Sequence, residues 1–206
     1  MSHPVERGAP PPPGTGGTAQ REVFYMRVIT GSARGTRLQT LEGLSVRPTT
    51  DRVKEGLFSS IHFLLPGARV LDLFAGSGQL GIEALSRGAA SCVFVDQDRT
   101  AHQVVRDNLR AAKLEKQARV IQSEALTYLH RCRDSYDLVF VDPPYACGLY
   151  GEILAALEPC VAAGGLVTVE SDRDEPLPPQ VGQLQQQKRR RYGKITITTY
   201  QKGERL

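Results

Sequence analysis

Short, almost continuous apolar runs alternate with amphipathic segments through most of this chain. Five runs have this character: Val70–Phe74, Cys92–Asp96, Arg119–Gln122, Leu138–Val141 and Leu166–Glu170. Three helical segments lie between or after them: Gln79–Arg87, Thr100–Ala112 and Gly151–Ala162. Strands that are apolar throughout are buried on both faces, which is typical of parallel sheets covered by helices. The sequence therefore predicts an α/β fold with a doubly wound, mostly parallel sheet.

The end of the chain has a different pattern. Leu184–Tyr192 and Lys194–Tyr200 lie on either side of Gly193, and Ile and Thr alternate strictly through residues 195–198. Such alternation is typical of a strand with one buried face, and a glycine between two strand-like stretches favours a turn. We therefore expect a C-terminal antiparallel hairpin, which brings the sheet to seven strands.

The chain ahead of the sheet divides into two parts. Residues 1–20 contain five Pro and four Gly and almost no bulky apolar side chains, so we expect a disordered tail. Residues 21–50 form a small basic extension, in which Met26–Thr30 is predicted as a strand of a β-hairpin followed by a turn. Residues 51–206 are then expected to form the main domain, beginning with a helix.

Composition excludes several classes of protein. Of the 206 residues 40% are hydrophobic, which is normal for a globular chain and too many for a wholly disordered one. No stretch approaches the roughly 18 consecutive apolar residues of a membrane helix, and residues 1–20 lack the apolar core of a signal peptide. The four cysteines have neither CxxC pairing nor metal-ligand spacing. We therefore expect a cytoplasmic protein with reduced thiols, no metal and no membrane association.

The net charge of +4 is unevenly distributed along the chain. Residues 1–54 carry a net charge of +4, residues 55–186 carry −6 and residues 187–206 carry +6. The basic ends are therefore expected to hold any polyanionic partner. The alternative is that these charges only solvate the surface of the protein.

A glycine-rich loop follows the first apolar run. It fits the pattern GxGxxG with Gly76, Gly78 and Gly81, and acids end the strand before it (Asp72) and the next strand (Asp96). In dinucleotide-binding folds such glycines let the backbone approach the ligand, and the acid binds ribose hydroxyls. The charge of Asp72, however, would oppose a pyrophosphate and suits a cation such as the ammonium group of S-adenosylmethionine. An NAD-binding oxidoreductase and a loop that serves only as a tight turn are the alternatives.

The fourth apolar run ends in Asp142-Pro143-Pro144-Tyr145. Ligands bind at the carboxyl ends of the strands in sheets of this kind, so the tetrapeptide is expected to face the cofactor. The Asp142 carboxylate and the Pro143 carbonyl can accept both N–H bonds of an amine on an aromatic ring, which favours a nucleophilic nitrogen. Tyr145 can stack on the base that carries the amine. An ordinary proline-rich turn is the alternative.

These motifs carry a resemblance to a known class of enzyme. Val70–Gly78 resembles motif I of the S-adenosylmethionine-dependent methyltransferases, and Val95-Asp96 resembles their second motif. The resemblance implies a Rossmann-like class I methyltransferase fold, with Asp142, Pro143 and Tyr145 as catalytic residues. It also implies a set of cofactor-binding residues: Asp72, Phe74, Ala75, Gly76, Gly78, Asp96, Gln97, Glu124, Ala125 and Asp142.

Five segments in this order carry a more specific resemblance: Met26–Gly31, Arg47–Glu55, Asp72–Gly78, Gly81–Ala89 and Asp142–Tyr145. Together they are similar to the RsmD family, which methylates the N2 amine of a guanine in 16S ribosomal RNA of the small subunit. The similarity spans about residues 26–200. It implies S-adenosylmethionine as cofactor, a partly assembled small subunit as substrate and a monomer without an obligate protein partner. Gln79 departs from the family, which commonly has a small residue there, and Asp96 replaces the more usual Glu.

The resemblance also gives the basic ends a role. It implies RNA contacts by Arg27, Arg34, Arg37, Arg47, Thr49, Thr50, Arg52, Lys54, Arg190 and Arg191. For Arg52 and Lys54 a solvated helix face is the alternative. An adenine-N6 DNA methyltransferase shares the Asp-Pro-Pro-Tyr motif, but such enzymes usually carry a larger target-recognition region than residues 1–50 provide.

Overall fold

A computed structural model of the chain describes residues 26–41, 51–143 and 148–203. The strands are β1 (Met26–Arg27), β2 (Arg37–Leu38), β3 (Arg69–Leu73), β4 (Ser91–Asp96), β5 (Ala118–Gln122), β6 (Tyr136–Val141), β7 (Val161–Asp172), β8 (Gln180–Val181), β9 (Leu184–Tyr192) and β10 (Ile195–Lys202). The helices are α1 (Asp51–Ile61), α2 (Gln79–Ser86), α3 (Arg99–Ala112), α4 (Ala125–Arg131) and α5 (Tyr150–Leu157). Short 3₁₀ turns follow three of them, at His62–Leu64, Glu115–Gln117 and Glu158–Cys160.

One large sheet has the strand order β5-β4-β3-β6-β7-β10-β9-β8. Strands β3 to β7 are parallel, and β10 joins β7 antiparallel and pairs with β9 in a hairpin. The expected doubly wound sheet with a C-terminal hairpin is thereby confirmed. The strand count is eight rather than seven because Gln180 and Val181 add a two-residue strand to the edge of β9. A strand of that length has no periodicity that a sequence could reveal.

Several elements differ from the sequence prediction, among them β7, which spans Val161–Asp172 and extends beyond the run Leu166–Glu170 at both ends. The helix expected over Gly151–Ala162 ends at Leu157, where a 3₁₀ turn containing Pro159 begins. Helix α4 was not expected, because its seven residues are too few for a helical pattern to stand out. The strand expected over Met26–Thr30 spans only two residues, since the N–H groups of Ile29 and Thr30 bond to a side chain instead of a partner strand.

Helices cover both faces of the sheet. Buried side chains of α1, α2 and α3 form one core cluster with Val70, Leu138 and Phe140, and those of α4 and α5 form a second cluster with Leu71 and Val139. Consecutive residues of the same strand therefore face different clusters, and both kinds are buried. This explains why the central strands are continuous apolar runs. Among the described residues, no helix combines the length and the apolarity that crossing a membrane requires.

Residues 26–41, here called the N-terminal segment, dock on α2 through one buried carboxylate. Glu83 is 1% exposed, and its carboxylate accepts hydrogen bonds from the backbone N–H groups of Ile29 (2.8 Å) and Thr30 (3.1 Å). The same carboxylate forms an ion pair with Arg87 at 2.7 Å, and the guanidinium of Arg87 lies 4.7 Å from the ring centre of Phe58. One acid thus joins the N-terminal segment, α2 and α1.

A serine one turn further along α2 repeats this docking. Ser86 Oγ donates to the carbonyl of Thr30 at 2.6 Å and accepts the N–H of Ala33 at 3.0 Å, while the carbonyl of Ser86 accepts the N–H of Ser32 at 2.8 Å. A Cβ at Gly31 would lie 1.8 Å from that carbonyl oxygen, so only glycine permits the approach. The N-terminal segment is therefore packed against the main domain over this stretch.

Replacing Glu83 with alanine is expected to lower the free energy of unfolding by about 3 kcal/mol, because two backbone N–H groups and a largely buried guanidinium lose their partner. Urea denaturation followed by circular dichroism measures this change. The matched control is Glu115→Ala, whose side chain is 55% exposed and whose loss should cost less than about 0.5 kcal/mol. Equal losses in the two variants would contradict the docking role of Glu83.

Candidate functional site

The strand order contains a topological switch point between β3 and β6. From β3 the chain proceeds outward through β4 and β5, then returns to the other side of β3 as β6 and continues to β7. A crevice forms at the carboxyl ends of the strands where the order reverses, and ligands of open α/β sheets bind there. Asp72 lies near the end of β3, on one side of this crevice. Asp142 follows the last residue of β6, on the other side.

Three carboxyl groups crowd the carboxyl ends of β3, β6 and β7. Asp72 is 2% exposed, Glu170 is 5% exposed and Asp142 is half-buried. Burial, together with the negative charges of Glu170 and Asp72, raises the pKa of Asp142 well above its ordinary value. Burial, with a smaller contribution from the charge of Asp96, raises the pKa of Asp72 to about 7, although the N–H of Gly81 donates to Asp72 at 2.8 Å and opposes the shift. Among the residues that the structure describes, this end of the sheet thus gathers negative charge.

The glycine loop between β3 and α2 is held by the end of β4. The N–H groups of Phe74 and Ala75 both donate to the carbonyl of Val95, at 3.0 and 2.9 Å, and the N–H of Gly76 donates to Asp96 Oδ2 at 2.8 Å. Phe74 and Gly76 adopt positive φ angles of 69° and 54°. A Cβ on Gly76 would meet nothing within 4 Å, so the loop presents bare backbone to open space.

These features test whether the site fits S-adenosylmethionine. The acids at the strand ends suit a ligand with positive sulfonium and ammonium groups, since an opposite charge favours the ionised form of a buried carboxyl group. The open space in front of Gly76 leaves room for a ligand against the backbone. The residues present therefore fit this cofactor, with Asp72 and the loop from Phe74 to Gly78 nearest to its charged end.

The residues predicted to hold the ribose and the adenine lie at the ends of β4 and β5. Asp96 accepts the N–H of Asp98 on Oδ1 at 2.9 Å as well as that of Gly76, and Gln97 is exposed beside it. Glu124 caps α4, because its carboxylate accepts the N–H groups of Leu126 and Thr127. These hydrogen bonds hold the pKa of Glu124 below its ordinary value. Glu124 thus has a structural role, and its contact with the adenine, like that of the buried Ala125, stays a prediction.

The structure describes half of the predicted catalytic tetrapeptide. Asp142 directly follows β6 and is half-buried, and Pro143 is buried. Pro144 and Tyr145 lie outside the described residues. Sequence reasoning missed Glu170, although it ends an apolar run in the same way as Asp96 does. That shared position was the signal that could have found it.

The predicted RNA-binding residues separate into three groups. Six of them are exposed: Arg27, Arg34, Arg37, Arg52, Arg190 and Arg191. Arg47, Thr49 and Thr50 lie outside the described residues. The prediction for Lys54 was wrong as a surface contact, because this side chain is 1% exposed and its Nζ donates to the carbonyl of Arg27 at 3.2 Å. Lys54 faces the protein interior because the N-terminal segment covers it.

The fold brings the two basic ends of the chain together. A Cβ on Gly56 of α1 would lie 2.6 Å from the hydroxyl of Tyr192, so the end of β9 packs closely on α1. Arg190 and Arg191 directly precede Tyr192, and Arg52 lies on α1 one turn before Gly56. In the N-terminal segment, Arg27 and Arg37 are direct cross-strand partners. Both side chains are exposed, which places two positive charges side by side on this surface.

A cavity of about 620 Å³ lies at the opposite edge of the sheet. The amino ends of β3 to β6 line it, and Arg69, Arg119 and Arg133 are among its residues. Arg69 is paired with Asp137 and Arg119 with Asp134, both at 3.0 Å. None of the acids at the strand ends reaches this edge, so we place the site at the carboxyl ends.

The fold and the acidic crevice with its glycine loop define a Rossmann-like class I methyltransferase that depends on S-adenosylmethionine. The family described as Conserved hypothetical protein 95 matches residues 26–201. The chain belongs to this family, and its predicted membership of the RsmD family is confirmed.

Individual relatives match along most of the chain. Ribosomal RNA small subunit methyltransferase D of Escherichia coli (strain K12) is 37% identical over 179 residues, which cover 86% of this chain and 90% of that protein. The protein YlbH of Bacillus subtilis (strain 168) is 41% identical over 182 residues, or 86% of this chain and 99% of YlbH. The solved structure of Escherichia coli yhhF superposes with a TM-score of 0.78 and 35% identity over 88% of this chain and 100% of that chain.

The affinity for S-adenosylmethionine is expected to fall as the pH is lowered through about 7, the pKa of Asp72. A raised carboxyl pKa means that the proton is bound below that pH, and a protonated Asp72 attracts no cation. Between pH 8 and pH 6 the ionised fraction drops roughly tenfold, and the dissociation constant should rise to about the same extent. Isothermal titration calorimetry measures it. Asp72→Asn should bind more weakly and lose most of this dependence; an unchanged pH profile in that variant would refute the role of Asp72.

Proposed function

We propose that this protein transfers a methyl group from S-adenosylmethionine to the exocyclic N2 of a guanine in 16S ribosomal RNA. The observation that carries the proposal is the placement of Asp142 across the switch point from Asp72, at the mouth of a crevice crowded with carboxyl groups. The similarity to a ribosomal RNA small subunit methyltransferase over 86% of the chain supports the RNA substrate. The N2 position follows from the resemblance to the RsmD family.

Methyl transfer requires the protein mainly to position the amine that is methylated. S-adenosylmethionine supplies an electrophilic methyl group on a positively charged sulfur. The lone pair of the guanine amine is delocalised into the ring, and the Asp142 carboxylate and the Pro143 carbonyl can localise it by accepting the two N–H bonds. Asp142 can do so only when ionised. A cation held at the neighbouring Asp72 lowers the pKa of Asp142 by charge attraction, so the loaded site is the better acceptor.

Proton removal is a smaller contribution in this scheme. The amine carries an extra proton once the methyl group is attached, and the Asp142 carboxylate, which directly follows β6, can accept that proton. General-base assistance of this kind contributes at most about 10²–10⁴-fold. Tyr145 would stack on the flipped base and hold the amine in line with the bond that breaks.

The basic surface next to the crevice is proposed to hold the RNA backbone. It consists of exposed arginines of the N-terminal segment (Arg27, Arg34, Arg37), Arg52 on α1, and Arg190 and Arg191 on β9. RNA is usually read where bases can leave a loop, and phosphate contacts fix the register while the base enters the site. Following the family, we propose a partly assembled small subunit as the preferred substrate and a monomer acting in the cytoplasm.

Asp142→Asn is expected to reduce methyl transfer at least 100-fold, because the neutral amide keeps the size of the side chain but accepts the amine more weakly and takes up no proton. The measurement is transfer of labelled methyl to small subunits that lack the modification, with the product nucleoside identified by mass spectrometry. Asp174→Asn, which changes an exposed acid on the loop after β7, is the matched control and should retain activity.

Three results of that assay would contradict the proposal. Undiminished transfer by Asp142→Asn would remove the carboxylate from the mechanism. A methyl group found on N6 of adenine in DNA would show that the protein is an adenine-N6 DNA methyltransferase instead. Methyl at a position of 16S RNA other than guanine N2 would refute the assigned amine.

The double variant Arg190→Ala/Arg191→Ala is expected to raise the KM for RNA while leaving the affinity for S-adenosylmethionine unchanged. Each lost phosphate contact should also reduce the slope of log affinity against log salt by roughly 0.7–0.9. RNA binding measured at several salt concentrations checks this. Arg119→Ala/Arg133→Ala removes two arginines from the opposite edge of the sheet and serves as the control; an equal effect there would show that the arginines act only through total charge.

A further inference from the structure

A buried amide on α3 touches both the N-terminal segment and the glycine loop. Asn108 Nδ2 donates to the carbonyl of Ser77 in the loop at 2.8 Å and to the carbonyl of Gln39 at 3.0 Å. Its Oδ1 accepts the N–H of Gln39 at 2.7 Å. We infer that Asn108 is a positioning residue that couples RNA binding by the N-terminal segment to cofactor binding by the loop, an inference that rests on the proposed function for its RNA half.

The position of Asn108 in its helix shows that these contacts are specific. Its neighbours on the buried face of α3 are Ala101, Val105, Leu109 and Ala112, so an apolar side chain would continue the pattern. A buried amide is unfavourable unless its donors and acceptor are bonded. Asn108 is 1% exposed, and both donor hydrogens and the oxygen have partners. Those partners belong to the two regions that the methyl transfer brings together.

On the cofactor side, Asn108 bonds to the glycine loop where its backbone conformation is most restricted. Ser77 lies between Gly76 and Gly78, both of which have positive φ angles (54° and 77°). The space behind Gly78 is closed by Val105 of α3, since a Cβ there would lie 3.2 Å from the Val105 side chain. The bond to the Ser77 carbonyl therefore sets the orientation of a peptide within the stretch that faces the ligand.

On the RNA side, the same amide pairs with Gln39 as a neighbouring strand would. It occupies both the N–H and the carbonyl of a residue that directly follows β2. Arg37 lies two residues before this point, and Arg47, Thr49 and Thr50, predicted to contact RNA, lie further along the chain. RNA bound to the arginines of this packed segment would restrain Gln39 and the amide further, and a more restrained amide would favour the loop conformation that binds the cofactor. Such linkage is reciprocal: each ligand strengthens the binding of the other.

The test measures the dissociation constant of S-adenosylhomocysteine by calorimetry, with and without small subunits that lack the modification. This product does not react, so binding is read without turnover. In the unaltered protein we expect the RNA to tighten binding at least about fivefold. In Asn108→Ala, binding without RNA should weaken several-fold, because a loop hydrogen bond is lost, and the tightening by RNA should disappear.

A second variant keeps the inference testable if Asn108→Ala does not fold. Gln39→Pro changes an exposed residue, removes the N–H that donates to Asn108 Oδ1, and sets a ring carbon in place of that hydrogen, which pushes position 39 away from Asn108. It leaves the Asn108–Ser77 bond in place, so binding without RNA should stay within about twofold while the tightening falls. The matched control is Ser86→Ala, which loosens the N-terminal segment at Thr30 and Ala33 without contacting the loop, and which should weaken RNA binding but retain the tightening.

The outcomes separate this inference from the proposed function. Tightening that survives in Asn108→Ala or Gln39→Pro, or that is lost equally in Ser86→Ala, overturns the coupling. An unaltered protein that methylates the RNA but shows no tightening overturns the coupling and leaves the proposed function intact. If the unaltered protein binds S-adenosylhomocysteine but neither binds nor methylates the RNA, the proposed function is overturned. In that case Asn108→Ala must still weaken the binding of S-adenosylhomocysteine alone; if it does not, the positioning role of Asn108 is overturned as well.

Discussion

Burial of several carboxyl groups at the ends of β3, β6 and β7 is the constraint around which this protein is arranged. Burial and the charges of Glu170 and Asp72 raise the cost of ionising Asp142, and burial together with the charge of Asp96 raises that of ionising Asp72. A cation placed among them relieves that cost. The acids therefore make sense only together with the crevice that opens between β3 and β6 and with a positively charged ligand in it. This arrangement also separates the site from pyrophosphate-binding versions of the same fold, since a diphosphate would add to the repulsion.

Polar side chains on helices connect other parts of the molecule to the region of that crevice. Glu83 and Ser86 of α2 hold the N-terminal segment, and Asn108 of α3 ties the segment to the loop. Each of these polar side chains is buried and uses its hydrogen-bonding groups on backbone atoms of another region. The N-terminal segment is consequently part of the same hydrophobic core as α1, α2 and α3 and not an independent unit. A basic surface that starts in this segment and continues on β9 is thereby fixed relative to the methyl-transfer site.

Much of the fold was predictable because its main signal is local. The runs Val70–Phe74, Cys92–Asp96 and Leu138–Val141 lie in strands that are buried on both faces, and this leaves a continuous apolar pattern that points to parallel strands. Short elements gave no such signal: β8 and α4 are too brief for a period to show. Lys54 was misassigned for a different reason, because a lysine on an amphipathic helix has the same sequence pattern whether it faces solvent or is covered by a distant segment.

The sequence by itself determined the parallel sheet, the glycine loop and the acids that end the strands, because strand order along the chain and short motifs depend on neighbouring residues. It also identified the family, since the motifs occur in one order. Only the tertiary structure decided that Glu170 joins Asp72 and Asp142, that Tyr192 packs the C-terminal hairpin on α1, and that Asn108 lies between the N-terminal segment and the glycine loop. These contacts join residues that are far apart in the chain, such as Gln39 and Asn108, whose separation of 69 positions leaves no periodic trace in either neighbourhood.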